Sequence, residues 1–519
     1  MVLWAKFLSR SKLASSGIGG GCVAGADVSV APGRFAHMFD IHGDSATAAA
    51  TIDTITTAAR DENAAGARRL AAIGDLYALR APDDDTERLN WVIDGFCGLI
   101  AELSVALSMS RRRATAQLHR AITLRERLPK VAAIYAKGLI DAAQVTLIIA
   151  RTDLIIDDQV AQTVDTELAT KIPDWGSLSI PKMQQRIDAI IARADPAGVR
   201  RPCPPADHRD VTVEPRPGGM AVLNATLEAT VAVAIADTLD AAATRVCRGD
   251  PRTSAQRRAD ALAALTTGGA MACQCDDPDC HLAAAVTPAP VGLAAVIHVI
   301  AEPATLTADT PGFLPGYGQI PAEQVQALVA RARIRSVAIP KPVDEPGYRP
   351  SAALAEFVRC RDLTCRFPEC DRPAEHCDID HTVPYPAGPT HPSNLKTLCR
   401  FHHLLKTFHS GWSDHQYPDG TIVWTSPTGH TYITKPEGAQ WFTALGTPTG
   451  TPEVSKSPPV SPQRGYCMPT RSTTRTQRRR KAILAERATN QDHLDYEYAL
   501  MQDRAEAEAL ADEQSSPPF

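Results

Sequence analysis

The sequence has no long apolar run and few aromatic residues. No stretch approaches the roughly 18 apolar residues that indicate a membrane-spanning helix, and Phe, Trp and Tyr make up only 5% of the 519 residues. Near the N-terminus, Lys6, Arg10 and Lys12 interrupt the apolar residues, so the continuous hydrophobic region of a signal peptide is missing. These features predict a cytoplasmic protein with no membrane partner. Residues 1–39 are predicted to be a disordered lead or to follow a mis-assigned start, with Met38 as the alternative initiator.

The chain also lacks a strong excess of charge of either sign and an even set of cysteines. Its net charge of −5 neither requires nor excludes a nucleic-acid partner, because a site can be basic within an acidic protein. Its 13 cysteines are an odd number, which argues against a disulfide framework. Five of them lie between residues 360 and 399, and eight of the 15 histidines lie between residues 376 and 430. Mixed clustering of this kind indicates metal binding.

The spacing of apolar residues predicts a mainly helical N-terminal domain with a small β element. Apolar residues recur at three- and four-residue spacing in 66–80, 89–109 and 178–194, whereas alternation around the Pro-Gly-Gly turn at 217–219 predicts a hairpin at 210–225. The predicted order is a lead (1–39), a mostly helical domain of unknown function (40–335), a Pro-rich linker (336–350), a small α+β zinc-containing domain (351–436), a disordered linker (437–474) and a charged helical tail (475–519).

Four residues of the 351–436 segment have the spacing of a tetrahedral zinc site. They are Cys365, Cys370, Cys399 and His402. Each pair of ligands is close in the chain, as in a zinc-binding turn, and the metal would bring the two distant pairs together. Zinc would then stabilise a module that is too short to fold well on an apolar core alone. Cys360 and Cys377 lie beside these residues and could replace one of them, although packed thiols are the simpler interpretation.

A second set of residues, interleaved with the first, has the chemistry needed to hydrolyse a phosphodiester. It consists of Asp380, His381, Asn394 and His403. Hydrolysis requires a base for the attacking water and a cation that offsets charge on the phosphate and the leaving oxygen. His381 suits the base, because an unperturbed imidazole has a pKa of about 6.5. Asp380 and His403 could bind a catalytic Mg²⁺ or Mn²⁺, and Asn394 could orient His381 or complete the coordination.

The order of these residues resembles that of the HNH (ββα-metal) nuclease family. The resemblance rests on Asp380-His381, Asn394 and Cys399-x-x-His402-His403, and it implies that the first pair lies on a strand, Asn394 in a loop and the His doublet at the start of a helix. Consecutive helical residues point about 100° apart, so His402 can face the zinc while His403 faces the catalytic metal. The chain also resembles the actinobacterial 13E12-repeat family, closely over about residues 345–436 and more loosely over 40–335. This resemblance implies a helical domain of unknown function followed by an HNH domain.

These features together predict a metal-dependent HNH endonuclease that hydrolyses DNA and is linked to a mobile or repeat element. The alternative is a catalytically silent, zinc-stabilised DNA-binding protein. Residues 351–436 contain nine acidic residues and eight Lys or Arg, so part of the affinity for DNA has to come from elsewhere. The residues predicted to contact phosphates are Arg478, Arg479, Arg480, Lys481 and Lys406.

A separate Cys/His-rich stretch, CQCDDPDCH at 273–281, is a possible second metal site. Its candidate ligands are Cys273, Cys275, Cys280 and His281. The C-x-C spacing makes it difficult for all four to bind one ion, and His281 is the weakest candidate. The alternative is a flexible acidic loop with incidental thiols. The sequence does not define the oligomeric state or the DNA specificity.

Overall fold

The computed structural model of the chain describes residues 45–80, 86–201, 209–266, 271–282, 299–329, 334–408, 411–454 and 467–515. The chain divides into two units, residues 1–59 and 60–519. The described part of the first unit, 45–59, is the beginning of helix α1 (Ser45–Leu79). The predicted lead, 1–39, lies outside the described residues. None of the helices in the described ranges is long and apolar enough to span a membrane.

Further helices follow α1 in the N-terminal part of the chain. They are α2 (Thr86–Leu89), α3 (Gly95–Ala106), α4 (Arg111–Glu126), α5 (Pro129–Ala136), α6 (Ala142–Thr152), α7 (Asp158–Lys171) and α8 (Ile180–Ala194). The second half of α1 and helices α3 to α8 form the largest apolar core, which includes Leu118, Val145 and Ile148, each 0% exposed. Side-chain caps define helix starts: Asp141 and Gln144 each accept a hydrogen bond from the other's backbone N–H at the beginning of α6.

A hairpin and a pair of helices follow this core. Strands β1 (Asp210–Arg216) and β2 (Met220–Thr226) are antiparallel, and the turn places Gly218 and Gly219 at φ of 77° and 71°, where glycine costs no steric strain. The next elements are α9 (Ala229–Ala243), α10 (Ser254–Thr266), β3 (Gly312–Leu314), β4 (Gly318–Ile320) and α11 (Ala322–Val329). The sequence also predicts a β-like run at 291–301 (VGLAAVIHVIA), which lies mostly outside the described residues.

The C-terminal elements combine short antiparallel sheets with short helices and one long helix. They are α12 (Ala352–Asp362), β5 (Cys377–His381), β6 (Leu395–Cys399), α13 (Arg400–Phe408), β7 (Ser413–Gln416), β8 (Ile422–Thr425), β9 (Thr431–Thr434), α14 (Glu437–Trp441) and α15 (Arg475–Ser515). Strand β5 pairs with β6, and β8 pairs with both β7 and β9. The prediction of a mostly helical chain with small sheets is therefore confirmed.

Helix α3 lies between two apolar cores and connects the helical part of the chain to the C-terminal part. Leu99 and Leu103 pack in the core of the N-terminal helices. Cys97 and Ala101, about half a turn away, pack in a second core with Trp424 and other residues of the Cys/His-rich segment. Nine of the 12 residues of α3 are buried, as expected for a helix that is apolar on all sides. The two predicted domains thus share a buried helix.

The predicted disordered linker at 437–474 contains ordered structure. Its first residues form α14, where Gly438 packs so closely against the carbonyl of Cys360 that no side chain would fit. Near its end, Met468 is buried and Thr470 forms a β-bridge with Trp91. Its Pro, Thr and Ser content predicted disorder because such segments bury little apolar surface. The order comes instead from a few close contacts with residues distant in sequence.

The Pro-rich linker and the charged tail also make specific contacts. In the linker, the N–H of Glu345 donates to the carbonyl of Thr390 (2.9 Å). In the tail, Arg487 forms an ion pair with Asp195 (2.6 Å), and the side chain of Asn490 donates to two backbone carbonyls after α8. The charge of this segment predicts a solvent-exposed helix. Its first half is instead held against the N-terminal helices, whereas residues 491–511 are almost all exposed.

A buried charge network makes α12 sensitive to one substitution. Asp362 is 0% exposed and accepts hydrogen bonds from Arg361 (2.8 Å), Arg366 (3.1 Å) and the N–H of Thr397 (2.9 Å). Burial alone would raise the pKa of Asp362, but the two guanidinium groups outweigh it and lower the pKa. The Asp362→Ala substitution leaves two buried arginines uncompensated, so we expect a loss of about 3–5 kcal/mol in the free energy of unfolding.

Urea unfolding followed by tryptophan fluorescence measures this loss. The control is Glu356→Ala on the same helix. Glu356 forms an exposed ion pair with Arg335 (3.9 Å), so its loss should lower the free energy of unfolding by no more than about 1 kcal/mol. Equal losses for the two variants would contradict the assignment of the buried network.

Candidate functional site

Three sulfurs and one imidazole converge where β6 ends and α13 begins. The residues are Cys365, Cys370, Cys399 and His402, and their ligand atoms all lie within 4.8 Å of one another. The Nδ1 atom of His402 is 3.5 Å from the sulfur of Cys365 and 3.3 Å from that of Cys399. The sulfurs of Cys370 and Cys399 are 4.0 Å apart. The structure therefore brings together the four residues that the spacing predicted.

These distances fit one tetrahedral zinc ion. With zinc at about 2.3 Å from sulfur and about 2.0–2.1 Å from nitrogen, tetrahedral angles place two sulfurs about 3.8 Å apart and a sulfur and a nitrogen about 3.6 Å apart. The His402 ring also stacks on Phe367, with centroids 4.0 Å apart and planes 12° from parallel. The N–H of Cys399 donates to the sulfur of Cys365 (3.3 Å). The donor set and its surroundings suit a structural metal.

Helix α13 directs its two adjacent histidines to different places. His402 is 5% exposed and faces the sulfur cluster. The ring of His403 instead lies between two carboxylates of β5: its Nδ1 is 2.8 Å from Asp378 and its Nε2 is 3.5 Å from Asp380. Asp378 and Asp380 are two residues apart on one strand, so they share a face of the sheet. The predicted separation of the two histidines is thus present in the structure.

The contact between His403 and Asp378 determines which ring nitrogen can bind a metal. A carboxylate accepts a hydrogen bond, so Nδ1 of His403 carries the proton and donates it to Asp378. In the neutral ring, Nε2 then presents a lone pair toward Oδ1 of Asp380. Metal-binding histidines commonly donate their other N–H to a carboxylate in this way. Asp378 was absent from the sequence-predicted site, although its i, i+2 relation to Asp380 could have revealed it.

His381 is buried and held by Thr390. Its Nε2 is 2.9 Å from the hydroxyl oxygen of Thr390, and that hydroxyl donates its single proton to the carbonyl of Gly347 (2.6 Å). The Thr390 oxygen must therefore accept from Nε2–H, which leaves Nδ1 of His381 as the basic nitrogen. Nδ1 is buried and has no hydrogen-bond partner among the described residues. Tyr348 stacks on the ring, with centroids 5.2 Å apart.

The electrostatic surroundings keep His381 neutral. Burial lowers the pKa of His381 to about 4; the carboxylate of Asp380 opposes this effect, while Lys406 and Lys396 add to it. The imidazole is therefore unprotonated at neutral pH, with its free lone pair on Nδ1. Titratable groups whose pKa is shifted this far by burial are concentrated at functional sites.

Two lysines surround the carboxylate of Asp380. Lys396 lies opposite Asp380 in the β5–β6 register. Its Nζ atom is 2.9 Å from Oδ2 of Asp380 and 2.7 Å from Oδ2 of Asp414. Lys406 lies 2.6 Å from Asp380 and also donates to the carbonyl of His381 (2.5 Å). Burial alone would raise the pKa of Asp380, but the two ammonium groups lower it to about 2. Asp380 is therefore ionised and already paired with cations.

Lys406 does not occupy the position predicted for a DNA-binding residue. Its side chain is only 12% exposed and points toward Asp380, because the carboxylates of β5 and β7 attract it inward. Among the tail residues predicted to contact DNA phosphates, Arg479 forms an ion pair with Asp153. Arg478, Arg480 and Lys481 are exposed.

Asn394 does not orient His381 in the structure. Its side-chain oxygen accepts from the N–H of Val383 (2.8 Å), and its amide donates to the carbonyls of Val383 (3.0 Å) and Pro389 (2.8 Å). These bonds hold the loop that leaves His381. The orienting contact comes from Thr390, which sequence reasoning missed because nothing in the spacing singles out a loop threonine.

The second Cys-rich cluster has a different fourth member from the one predicted. Cys273, Cys275 and Cys280 converge with Cys247, and the four sulfurs lie within 4.8 Å of one another. His281 is exposed and is not part of this group. Cys247 lies on the loop after α9 and escaped prediction because it is 26 residues before Cys273.

Comparison with known proteins places the chain in a family defined by its N-terminal part. The family model, described as domain of unknown function DUF222, matches residues 57–362. The chain belongs to the DUF222 family. The match ends three residues before Cys365, so it covers the helical region and not the Cys365–His403 site.

Two relatives of the chain come from Mycobacterium tuberculosis. The uncharacterized protein Rv3776 of Mycobacterium tuberculosis (strain ATCC 25618 / H37Rv) is 44% identical over 475 residues, which cover 85% of this chain and 90% of the relative. The uncharacterized protein Rv2100 of the same strain is 40% identical over 518 residues, covering 90% and 93% of the two chains. No solved structure matches the chain.

Zinc at the Cys365 cluster predicts a specific loss in the Cys399→Ser variant. We expect this variant to bind one zinc ion fewer than the wild type when metal content is measured by mass spectrometry. Because structural zinc contributes on the order of 10 kcal/mol to such modules, the surrounding core should also loosen. Phe367 contacts Trp412 and Trp424 edge-on, so tryptophan fluorescence should shift to longer wavelength.

The matched control for this prediction is Cys360→Ser. Cys360 is half-buried on α12 and does not belong to the cluster. This variant should keep the wild-type zinc content and emission spectrum. A zinc content unchanged by Cys399→Ser would refute the assignment of Cys399 as a ligand.

Proposed function

We propose that the chain is a metal-dependent endonuclease of the HNH type, which hydrolyses DNA at the site formed by β5, β6 and α13. The observation that carries the proposal is the arrangement of His381. Its Nε2 hydrogen-bonds to the hydroxyl of Thr390. The imidazole ring is neutral, and its buried Nδ1 has a lone pair that can accept a proton. A neutral imidazole with a free lone pair can accept a proton from an attacking water.

The strand–strand–helix order of the site supports the proposal. Residues Asp380 and His381 end β5, and His403 lies in the first turn of α13, in the arrangement that the resemblance to HNH nucleases implies. In this proposal His381 removes a proton from water, and Asp378 fixes the ring of His403. Asn394 keeps the loop after His381 in place.

The donor set of Asp380 and His403 fits a catalytic divalent ion. Their facing atoms are 3.5 Å apart, near the spacing of about 3 Å expected for neighbouring ligands of an octahedral ion with bonds of about 2.1 Å. When bound, the ion would supply positive charge to the phosphate and the leaving oxygen. One carboxylate oxygen and one imidazole favour Mn²⁺ over Mg²⁺, since imidazole prefers the softer metals.

Affinity for DNA would come from arginines around the nearly neutral module. The side chain of Arg111, at the beginning of α4, stacks over the Phe401 ring of α13 at 4.4 Å. Arg112 and Arg113 follow it and are exposed, and Arg400 is 66% exposed beside Asp378. Together with the exposed residues of the basic start of α15, they could neutralise phosphates and release counterions.

The two lysines at Asp380 favour the alternative function, a zinc-stabilised DNA-binding protein without catalysis. Both ammonium groups bind Oδ2 of Asp380 and would compete with a metal for this carboxylate. The endonuclease remains the better-supported proposal because Oδ1 still faces His403.

Nicking of supercoiled plasmid tests the proposal. With Mn²⁺ added, the wild type should convert supercoiled to open-circular DNA, and His381→Ala should be slower by about 10²–10⁴-fold because the base is missing. The control is His376→Ala, an exposed histidine of the same module, which should nick at the wild-type rate. DNA binding without nicking by the wild type, at full zinc content, would support the alternative.

Two further variants separate the roles of the residues that sequence reasoning missed. Thr390→Val removes the hydrogen-bond partner of His381 Nε2. We therefore expect a maximal nicking rate that is ten- to hundredfold lower, equivalent to about 1–3 kcal/mol in activation free energy. The Mn²⁺ concentration for half-maximal nicking should not change. Asp378→Asn should instead raise the Mn²⁺ concentration for half-maximal nicking about 10- to 100-fold.

Thr390→Ser provides the matched control, because it keeps the hydroxyl and should restore most of the rate. If Thr390→Val and Asp378→Asn changed the same parameter, the separate roles assigned to these two residues would be wrong.

A further inference from the structure

We infer that Cys247, Cys273, Cys275 and Cys280 bind a second structural zinc ion that fastens the α9–α10 pair to the loop at 271–282. The four sulfurs come from two segments distant in sequence and lie within 4.8 Å of one another. The sulfurs of Cys247 and Cys273 are 3.4 Å apart, near the spacing of about 3.8 Å for two thiolates on one tetrahedral zinc. Four cysteines form a complete ligand set for a closed structural site.

The C-x-C spacing does not prevent convergence. Backbone hydrogen bonds fold the loop tightly: the N–H of Cys273 donates to the carbonyl of Leu282 (2.7 Å), and the N–H of Cys280 to that of Asp277 (3.2 Å). Backbone groups of Gly249 and Asp277 also hydrogen-bond to the sulfurs of Cys247 and Cys275.

A polar network holds the two segments in position around the cysteines. Asp250, whose side chain is 0% exposed, pairs with Arg252 (2.7 Å) and accepts from the N–H of Gln274 (3.0 Å). Arg252 also donates to the carbonyl of Ala272 (2.7 Å). These bonds join the loop after α9 to the loop that carries three of the cysteines. Supporting contacts of this kind orient the ligands of a metal site.

This part of the chain has little apolar core to hold it together. Among the described residues from 209 to 282, the buried apolar side chains are those of Ala243, Ala261 and Cys273. Each strand of the β1–β2 hairpin is exposed along nearly its whole length. Segments with so small a core commonly depend on a metal or disulfides for stability. A bound zinc would therefore supply much of the local stability.

Metal and thiol counts on the full-length wild type test the inference without any substitution. Protein purified without added metal or chelator should contain two zinc ions per chain by mass spectrometry. Titration of the denatured, unreduced protein with a thiol reagent should find all 13 cysteines free. One zinc per chain, or a disulfide among these four cysteines, would overturn the inference.

Variants assign the second ion to this cluster. Cys275→Ser should contain one zinc, whereas Cys467→Ser, which alters an exposed cysteine outside both clusters, should retain two. Cys280→His should also retain two, since imidazole can replace a thiolate on zinc but cannot form a disulfide. Two zinc ions in Cys275→Ser would overturn the proposal. The counts involve no cleavage, so they are independent of the proposed nuclease.

Discussion

The orientation of α13 determines the geometry of both the sulfur cluster and the proposed catalytic site. His402 and His403 are adjacent on this helix, so their side chains leave it in directions about 100° apart. Because His402 faces the cysteines, the ring of His403 points to the face of β5 that carries Asp378 and Asp380. A zinc ion on His402 would therefore position His403 without contacting it. Catalytic sites require rigid support, because small displacements of the reacting groups lower the reaction rate.

Helix α3 links this geometry to the rest of the protein. Its two buried faces belong to the core of the N-terminal helices and to the core beside the sulfur cluster. The arginines at the beginning of α4 lie next to α13 through the contact of Arg111 with Phe401. The helical region that defines the DUF222 family is thus a packing partner of the proposed nuclease module. It also supplies positive charge that the module itself lacks.

The sequence was most informative where chemistry and spacing coincide. The zinc-ligand set, the two directions of the His doublet and the hairpin at 210–225 all follow from residue types at short, regular intervals, and the structure contains each of them. Thr390, Lys396 and Cys247 could not be identified in the same way, because their roles arise from tertiary contacts. Lys396, for example, meets Asp380 only through the β5–β6 register, which the sequence alone does not define.

Composition was a poor guide to order in the C-terminal region. The low apolar content of 437–474 and the charge of 475–519 predicted disorder and exposure. Single residues such as Met468 and Asn490 nevertheless anchor these segments in buried contacts. The Pro-rich segment at 336–350 likewise contributes the Gly347 carbonyl, which directs the hydroxyl of Thr390 and through it the tautomer of His381.

The central claim is that Nδ1 of His381 accepts a proton from the attacking water. Chemical rescue of His381→Gly tests it most directly, because this variant leaves a cavity where free imidazole can replace the lost side chain. Plasmid nicking with Mn²⁺ should be nearly absent in His381→Gly. Its rate should increase with added imidazole, in proportion to the concentration of the neutral imidazole molecule. If His381→Gly nicked plasmid at the wild-type rate without added imidazole, the assignment of His381 as the base would be contradicted.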